Sequence, residues 1–270
     1  MNEKSDCYLM ESSEESIRLE IKTNSGAVRE QAQWCGIEPG MRILDAGCGP
    51  GKTSAILHEM VQPNGSVMGI DYSPQRIAYA QKHYSEGQKI EYLLHDLREP
   101  LPDIGFFDVI WVRFVLEHHR KKGKVIIENL KHILKPGGVL CLLDLDHNCL
   151  NHYEVTPSMR DLLHRLMEAL DERYDFDTYA GRKLYSYLYD NGFKDIQVTL
   201  MPHHLIYGEI RNEDFFNWTK KVEVAARRLK DIFDGYPGGY EGFVRAFESF
   251  FRDPRRFTYT ALIICKGNIY

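Results

Sequence analysis

The chain has 270 residues, of which 43% are hydrophobic and 27% charged, and its formal net charge is −5. This length and composition are typical of a globular protein with a sizeable core, and the negative charge argues against a wide nucleic-acid-binding surface. The six cysteines are scattered and include no CxxC pair, which predicts reduced thiols. The acidic N-terminus predicts that there is no signal peptide, and no apolar run approaches the ~20 residues of a membrane span. We therefore expect a cytoplasmic protein.

The first part of the chain alternates helical and strand-like segments. Ser12 followed by Glu15 fits a capping box that opens a helix, and a second helix is predicted over residues 26–35. Short apolar runs then predict five buried strands, over residues 42–46, 66–70, 90–94, 108–112 and 139–145. Helices are predicted between them over residues 53–61, 74–84 and 124–134.

This alternation predicts right-handed βαβ units and a doubly wound parallel sheet. Ligands bind such sheets outside the carboxyl ends of the strands, near the point where the strand order reverses. Conspicuous residues fall at those ends, namely Gly47, Asp71, Asp96, Arg113 and Asp146. The sequence therefore predicts a ligand site along this edge.

The pattern changes after residue 147. Helices are predicted over 157–174, 181–191, 213–233 and 243–251, and strands over 196–207 and 258–265. We expect one domain over residues 1–270, made of N-terminal helices (1–38), a core (39–147), helical cap insertions interleaved with a sixth strand (148–256) and a final strand (257–270).

The loop LDAGCGPGKTS at residues 44–54 is similar to two nucleotide-binding signatures and matches neither. A phosphate-binding P-loop reads G-x-x-x-x-G-K-[ST], and Ala46 stands where its first glycine belongs. The dinucleotide fingerprint fails because its third glycine comes early and Pro50 interrupts it, although Asp71 meets the requirement for an acidic residue about 20 positions on. The downstream segments must therefore decide.

Residues 45–51 (DAGCGPG) resemble motif I of class I S-adenosylmethionine-dependent methyltransferases, and further segments resemble the later motifs in order. These are residues 69–74 (GIDYSP), 94–97 (LHDL), 107–110 with 116–118 (FDVI and LEH), and 134–138 (LKPGG). The similarity covers residues 40–147, about two fifths of the chain. Tyr8, Glu15, Arg18 and Leu19 more loosely resemble a leader of some small-molecule, UbiE-like members.

The resemblance implies a Rossmann-like, doubly wound mixed sheet of seven strands with helices on both faces, and cap insertions around strand six. It also implies S-adenosylmethionine as the cofactor and S-adenosylhomocysteine as the product. Asp45 would meet the ammonium directly or through water, Asp71 the ribose hydroxyls and Asp96 the adenine amino group. The cofactor-binding residues implied are Tyr8, Arg18, Asp45, Gly47, Cys48, Gly49, Asp71, Tyr72, Arg76, His95, Asp96, Leu97, Arg113 and His118.

Methyl transfer is an in-line SN2 displacement, in which positioning can carry much of the rate and a base is needed only for a protonated acceptor. Among nearby histidines we favour a structural role for His118 and select His147 as the candidate base, with surface polarity as its alternative. His147, Cys149 and His152 lack a fourth ligand and standard zinc spacing, so no metal is predicted.

The acceptor is predicted to be a small molecule. The DPPY-type sequence of nucleic-acid and glutamine N-methyltransferases is absent, since residues 111–114 read WVRF. Basic runs in the C-terminal part are interleaved with acidic residues, which favours a solvated helix face over RNA binding. The aromatic-rich cap indicates an enclosed, partly apolar pocket for the acceptor, or alternatively a dimer interface. The protein is therefore predicted to be a monomer or a homodimer. We expect neither nucleic acid nor membrane as a partner.

Two alternatives to a methyltransferase stay open at this point. One is a protein that binds S-adenosylmethionine without transferring its methyl group, because cofactor motifs report binding and not turnover. The other is a P-loop-type nucleotide-binding enzyme, which the short loop disfavours.

Overall fold

A computed structural model describes residues 15–85, 87 and 90–270. Ser12 of the predicted capping box and the predicted cofactor residue Tyr8 lie outside this part of the chain. Within it, the α-helices are α1 (Glu15–Lys22), α2 (Ser25–Cys35), α3 (Lys52–Val61), α4 (Pro74–Tyr84), α5 (Gly123–Lys131), α6 (Pro157–Tyr174), α7 (Leu184–Asp190), α8 (Asn212–Arg228) and α9 (Gly239–Arg252). The strands are β1 (Arg42–Ala46), β2 (Ser66–Asp71), β3 (Glu91–Leu94), β4 (Phe107–Arg113), β5 (Leu134–Asp146), β6 (His152–Tyr153), β7 (Lys194–Tyr207) and β8 (Phe257–Asn268).

The strands form one mixed sheet. Five parallel strands lie in the order β3-β2-β1-β4-β5, and β8 follows antiparallel to β5 with β7 antiparallel to β8. The strand order reverses between β1 and β4, which creates the switch point expected for this architecture. These seven strands confirm the predicted Rossmann-like mixed sheet. The structure adds an eighth, the two-residue β6, which pairs with Thr258 and Phe257 of β8.

Successive strand residues bury against opposite layers, as a pleated sheet requires. Leu44 and Ile110 pack with α5 and α7, whereas Ile43 and Trp111 pack with α2 and α3. Helices therefore cover both faces, as predicted. A separate apolar cluster joins α6, α8 and α9, and it includes Trp218 at 1% exposure.

Local sequence signals explain the starts of α4 and α6. Thr156 accepts a hydrogen bond from the N–H of Met159 ahead of α6, and Ser73 accepts one from Arg76 ahead of α4, each with proline as the next residue. The predicted helix over 213–233 is wrong at its C-terminal end, because α8 stops at Arg228 and a 3₁₀ turn (Lys230–Phe233) follows the fully buried Leu229. The predicted helix over 181–191 likewise begins as a 3₁₀ turn (Gly181–Lys183).

Among the helices of the described residues, none combines the length and the apolar content needed to cross a bilayer.

Candidate functional site

A cavity of ≈ 180 Å³ lies where the carboxyl ends of β1, β2, β3 and β4 meet α1 and the cap helices α6 and α8. It follows from the parallel topology, which brings the loops after these strands to one edge. Twelve of the fourteen predicted cofactor residues line it. They are Arg18, Gly47, Cys48, Gly49, Asp71, Tyr72, Arg76, His95, Asp96, Leu97, Arg113 and His118.

The glycine loop after β1 is fastened to the end of β2. The N–H groups of Gly47 and Cys48 both donate to the carbonyl of Ile70, at 2.7 and 2.9 Å. Gly47 has φ +79°, and a Cβ at this position would lie 2.3 Å from Cγ2 of Val115. Glycine is therefore required both by the left-handed backbone and by the close approach.

Asp71 stands at the centre of this edge and is 4% exposed. Its Oδ2 accepts from the N–H of Gly49 at 2.9 Å, and its Oδ1 accepts from the N–H of Ser73 at 2.9 Å. Arg76 lies 3.5 Å from the same Oδ1. A carboxylate has about four lone-pair directions, so Asp71 keeps acceptor capacity for hydroxyl groups in the cavity.

Asp45 lies beneath the loop and outside the residues that line the cavity. It is 2% exposed, and its Oδ2 accepts from Oγ of Ser54 at 2.6 Å. Burial raises the pKa of Asp45 to about 7, against the lowering effects of Ser54 and of the positive charge of Arg113. This position does not support the predicted direct contact with a cofactor ammonium.

The loop after β3 contributes His95, Asp96 and Leu97. The carboxylate of Asp96 is held by the Arg98 side chain, with Nη2 at 2.6 Å from Oδ2, and hydrogen bonding from Arg98 lowers the pKa of Asp96. A cofactor amino group would therefore share this carboxylate with Arg98. His95 lines the cavity, and its Nε2 is buried without a hydrogen-bond partner among the described residues.

Arg113 ends β4 and lies on the wall nearest α2. Its Nε donates to Oε1 of Gln31 at 3.0 Å, and its guanidinium stands 4.1 Å from the ring centroid of Phe114. Burial lowers the pKa of Arg113 to about 10, opposed by the negative charges of Asp45 and Asp144. The side chain remains cationic at neutral pH and can bind a carboxylate.

Glu117 is a buried carboxylate in the cavity wall that our sequence interpretation did not select, although it stands in the LEH segment. Its Oε2 accepts from Nδ2 of Asn148 at 3.0 Å, and its backbone N–H donates to Oδ2 of Asp144 at 3.0 Å. Burial alone would raise the pKa of Glu117, but the hydrogen bond and charge of His118 and the charge of Lys22 lower it to about 2. Glu117 is therefore negatively charged at neutral pH.

Three further polar side chains converge on the cap end of the cavity, namely Lys22 of α1, His203 of β7 and Lys221 of α8. Burial lowers the pKa of Lys22 well below its usual value, and the nearby charges of Lys221 and Arg18 lower it further. These residues lie far apart in the sequence on unrelated elements. No local pattern connects them, which explains why sequence reasoning missed them.

His147 does not line the cavity. It has φ +54°, and its ring packs edge-on against Tyr179 with the centroids 4.9 Å apart. We selected His147 because it immediately follows β5, on the side where the acceptor was expected, but it has a left-handed backbone and lies outside the cavity lining. The role of His147 as a base stays a prediction without geometric support, and His118 and His119 lie in the wall instead.

Lys52 and His152 both make hydrogen bonds within the fold. Lys52, the lysine of the P-loop-like ending, donates to the carbonyl of Glu20 in α1 at 2.7 Å. His152 is held by Oγ1 of Thr258 at 2.8 Å and by the carbonyl of Cys149 at 3.1 Å. Across the described residues, no three His, Cys, Asp or Glu side chains are grouped as metal ligands.

Residues 43–138 match the family described as methyltransferase domain. The chain is 34% identical over 152 residues to 2-methyl-6-phytyl-1,4-hydroquinone methyltransferase of Synechocystis sp., covering 53% of this chain and 46% of the relative. It is 35% identical over 113 residues to ubiquinone biosynthesis O-methyltransferase of Dechloromonas aromatica, covering 40% and 46%. The chain thus spans about half the length of these curated relatives.

Among solved structures, the fold is similar to phosphoethanolamine N-methyltransferase 2 of Haemonchus contortus, in complex with phosphomonomethylethanolamine and S-adenosylhomocysteine. The TM-score is 0.57 at 18% identity, covering 94% of this chain and 56% of that one. This likeness confirms the fold. Four of the five motif segments contribute residues to the cavity, and the fifth, residues 134–138, begins β5. The matched domain and these relatives confirm the predicted resemblance to the class I S-adenosylmethionine-dependent methyltransferases, a family whose cofactor is S-adenosylmethionine.

Proposed function

We propose that this chain transfers the methyl group of S-adenosylmethionine to a small molecule held under the cap. The observation that carries the proposal is a single cavity with two kinds of wall. One end is lined by the strand-end motifs, including Gly49, Asp71 and Leu97, and the other by the cap residues Met167 and Lys221. Such a cavity can place a cofactor and an acceptor side by side.

The residues of the strand-end half fit this cofactor. A Cβ on Gly49 would meet only Leu19, at 3.8 Å, so the loop backbone is accessible to a ligand. Asp71 would accept from the ribose hydroxyls, and the unpartnered Nε2 of His95 offers a polar contact near the adenine end. Arg113 would bind the carboxylate of the methionine part.

When bound, the cofactor supplies an electrophilic methyl group on a sulfonium. The protein would contribute chiefly positioning, by holding the acceptor atom close to ~3–3.5 Å from that carbon and in line with the sulfur. The cap wall, with Met167, Leu170 and Phe176, would exclude water from the developing transition state. Glu117, with its lowered pKa, is a weak base and would instead fix His118 and Asn148.

The names of the two curated relatives refer to a hydroquinone and to ubiquinone biosynthesis, which supports a small-molecule acceptor. The experiment is a calorimetric titration with S-adenosylhomocysteine, followed by transfer of labelled methyl from S-adenosylmethionine into a metabolite extract. We expect binding and a labelled small molecule. Binding with no labelled product would favour a cofactor-binding protein without transfer activity, and binding of ATP in place of the cofactor would favour the nucleotide enzyme.

A further inference from the structure

We infer that the acceptor carries an oxyanion group, a carboxylate or a phosphate, which is bound between Lys22 and Lys221 at the cap end of the cavity. This inference rests on the proposed function and specifies its substrate class. It begins from Lys221, a side chain that the cofactor motifs do not account for.

Lys221 has an ammonium group that the described protein does not satisfy. Its Nζ is inaccessible to solvent and has no hydrogen-bond partner among the described residues, and it stands 5.2 Å from the Trp218 ring centroid. By contrast, the preceding Lys220 lies 3.3 Å from Oε2 of Glu223 on the helix surface. A buried ammonium with no acceptor is costly, so its retention in a cavity wall points to a ligand that supplies the acceptor.

Lys22 brings a second cation to the same place from a different element. Its Nζ lies 4.9 Å from the ring centroid of Phe114, and Lys221 is among the charges that repel it. The amino groups of Lys22 and Lys221 thus line a shared space, where a bound anion would favour the protonated form of Lys22. An anion placed there would be attracted by both.

The charges of the remaining wall favour an anion over an amine. Asp71 and Asp96, at the adenosine end, lie within ion-pair distance of Arg76 and Arg98. Nearer the cap, Glu117 is the single carboxylate among the described lining residues, and it already contacts His118 and Asn148.

That one carboxylate faces the basic side chains of Lys22, Arg113 and Lys221, and Arg18 lies near Lys22 in the same wall. In a bound cofactor the carboxylate and the ammonium of the methionine part would offset each other, and the sulfonium would add one positive charge. The acceptor end therefore stays positive after the cofactor binds, which opposes an ammonium group and stabilises an oxyanion.

The rest of the acceptor is expected to be apolar. Met167 and Leu170 of α6, Phe176 and Ala225 line the same end of the cavity. The His203 ring, packed 4.8 Å from Phe114, adds one buried Nε2 without a hydrogen-bond partner among the described residues. The fitting ligand is a small molecule with an apolar body and one carboxylate or phosphate.

The test compares Lys221→Met with the matched control Lys220→Met and with Lys221→Arg, which keeps the charge. S-adenosylhomocysteine is titrated first, and equal affinity is expected in the wild type and all three variants. Benzoate, phenyl phosphate and the neutral analogue benzamide are then titrated at saturating S-adenosylhomocysteine. Thermal unfolding of each variant shows that it is folded.

We expect benzoate or phenyl phosphate to bind the wild type and Lys220→Met with similar affinity and to bind Lys221→Met at least tenfold more weakly. The affinity should recover in Lys221→Arg. The anion that binds more tightly identifies the oxyanion group as carboxylate or phosphate. Benzamide should bind more weakly than the anions to the wild type. Equal anion binding in both methionine variants, equal binding of benzamide and benzoate, or no anion binding in the presence of bound S-adenosylhomocysteine would overturn the inference. Failure of S-adenosylhomocysteine to bind the wild type would instead overturn the proposed function.

Discussion

The backbone N–H of Gly49 donates a hydrogen bond to Oδ2 of Asp71 at 2.9 Å. This bond joins the glycine loop after β1 to the acidic residue at the end of β2, the two features that the sequence singled out separately. Because one carboxylate both orders the loop and faces the cavity, its loss should affect cofactor binding in two ways.

Replacing Asp71 with asparagine should weaken S-adenosylhomocysteine binding by roughly 10- to 100-fold, the range given by removing a charged hydrogen-bond acceptor. The amide keeps one acceptor oxygen but loses the charge beside Arg76. Calorimetric titration measures the change. The exposed Asp103, which accepts from the N–H of Gly105 at 3.3 Å, lies outside the cavity lining, so Asp103→Asn is the control and should bind as the wild type does. Unchanged affinity in Asp71→Asn would remove the ribose assignment.

Gly47→Ala and Gly137→Ala separate backbone strain from steric overlap, because both glycines have φ +79°. A Cβ at position 137 meets nothing within 4 Å, whereas one at position 47 lies 2.3 Å from Val115. In urea unfolding, Gly137→Ala should lower the free energy of unfolding by about 1–2 kcal/mol through the left-handed backbone alone. Gly47→Ala should lower the free energy of unfolding by about 1–3 kcal/mol more, because the added methyl group overlaps Val115.

The double variant Gly47→Ala/Val115→Ala provides the control, since the methyl group that causes the overlap is gone. Its Gly47→Ala step, measured in the Val115→Ala background, should cost no more than Gly137→Ala does. Equal losses for the two single glycine variants would show that the loop moves to accommodate the methyl group.

The strand-end half of the cavity wall could be predicted from the sequence because its signals are local. Each strand appears as an apolar run, and parallel topology then brings Gly47, Asp71 and Asp96 to one edge. The acceptor end has no such signal, since Lys22, His203 and Lys221 meet only through tertiary packing. Long-range contacts also end α8 at Arg228, where burial of Leu229 outweighs the helical pattern that continues beyond it.

The motif identifies Asp45 as a candidate residue but does not predict where its side chain points. It shares a strand face with Ile43, so the pleat directs it into the core toward Ser54 of α3 and away from the ligand. His147 shows the same limit, because the sequence pattern does not reveal the positive φ of His147 and Cys149 in the turn after β5.

Asp45→Asn should stabilise the protein increasingly as the pH rises. The pKa of Asp45 is about 7 when folded and 3.8 ordinarily, so the stability that Asp45 contributes is complete below 3.8 and is lost as the pH rises through 7. Between pH 5 and pH 8, the free energy of unfolding of Asp45→Asn relative to the wild type should rise by roughly 3 kcal/mol. Urea unfolding at the two values measures it. A constant difference would mean that Asp45 is ionised throughout.

The His152 imidazole should make the cap sensitive to acid. The centroid of its ring lies 5.3 Å from that of Trp218 and 5.5 Å from that of Phe250. Burial lowers the pKa of His152 to about 4, and the hydrogen bond with the Cys149 carbonyl partly offsets this effect. The folded pKa is below the ordinary 6.5, so the unfolded chain takes up the proton first. Stability is therefore intact above pH 6.5 and falls as the pH drops toward 4.

His152→Phe removes this titration while keeping a ring among the cap aromatics, although Thr258 loses its 2.8 Å hydrogen bond. Loss of this bond changes the free energy of unfolding by the same amount at every pH. The informative quantity is therefore how the difference in unfolding free energy between His152→Phe and the wild type changes with pH. Between pH 7 and pH 4 the free energy of unfolding of His152→Phe should rise relative to the wild type by roughly 3 kcal/mol. The exposed His132, which lies 3.3 Å from Glu128, provides His132→Gln as a matched control for the removal of a histidine. Parallel pH profiles for wild type and His152→Phe would show that the imidazole is protonated within the folded cap.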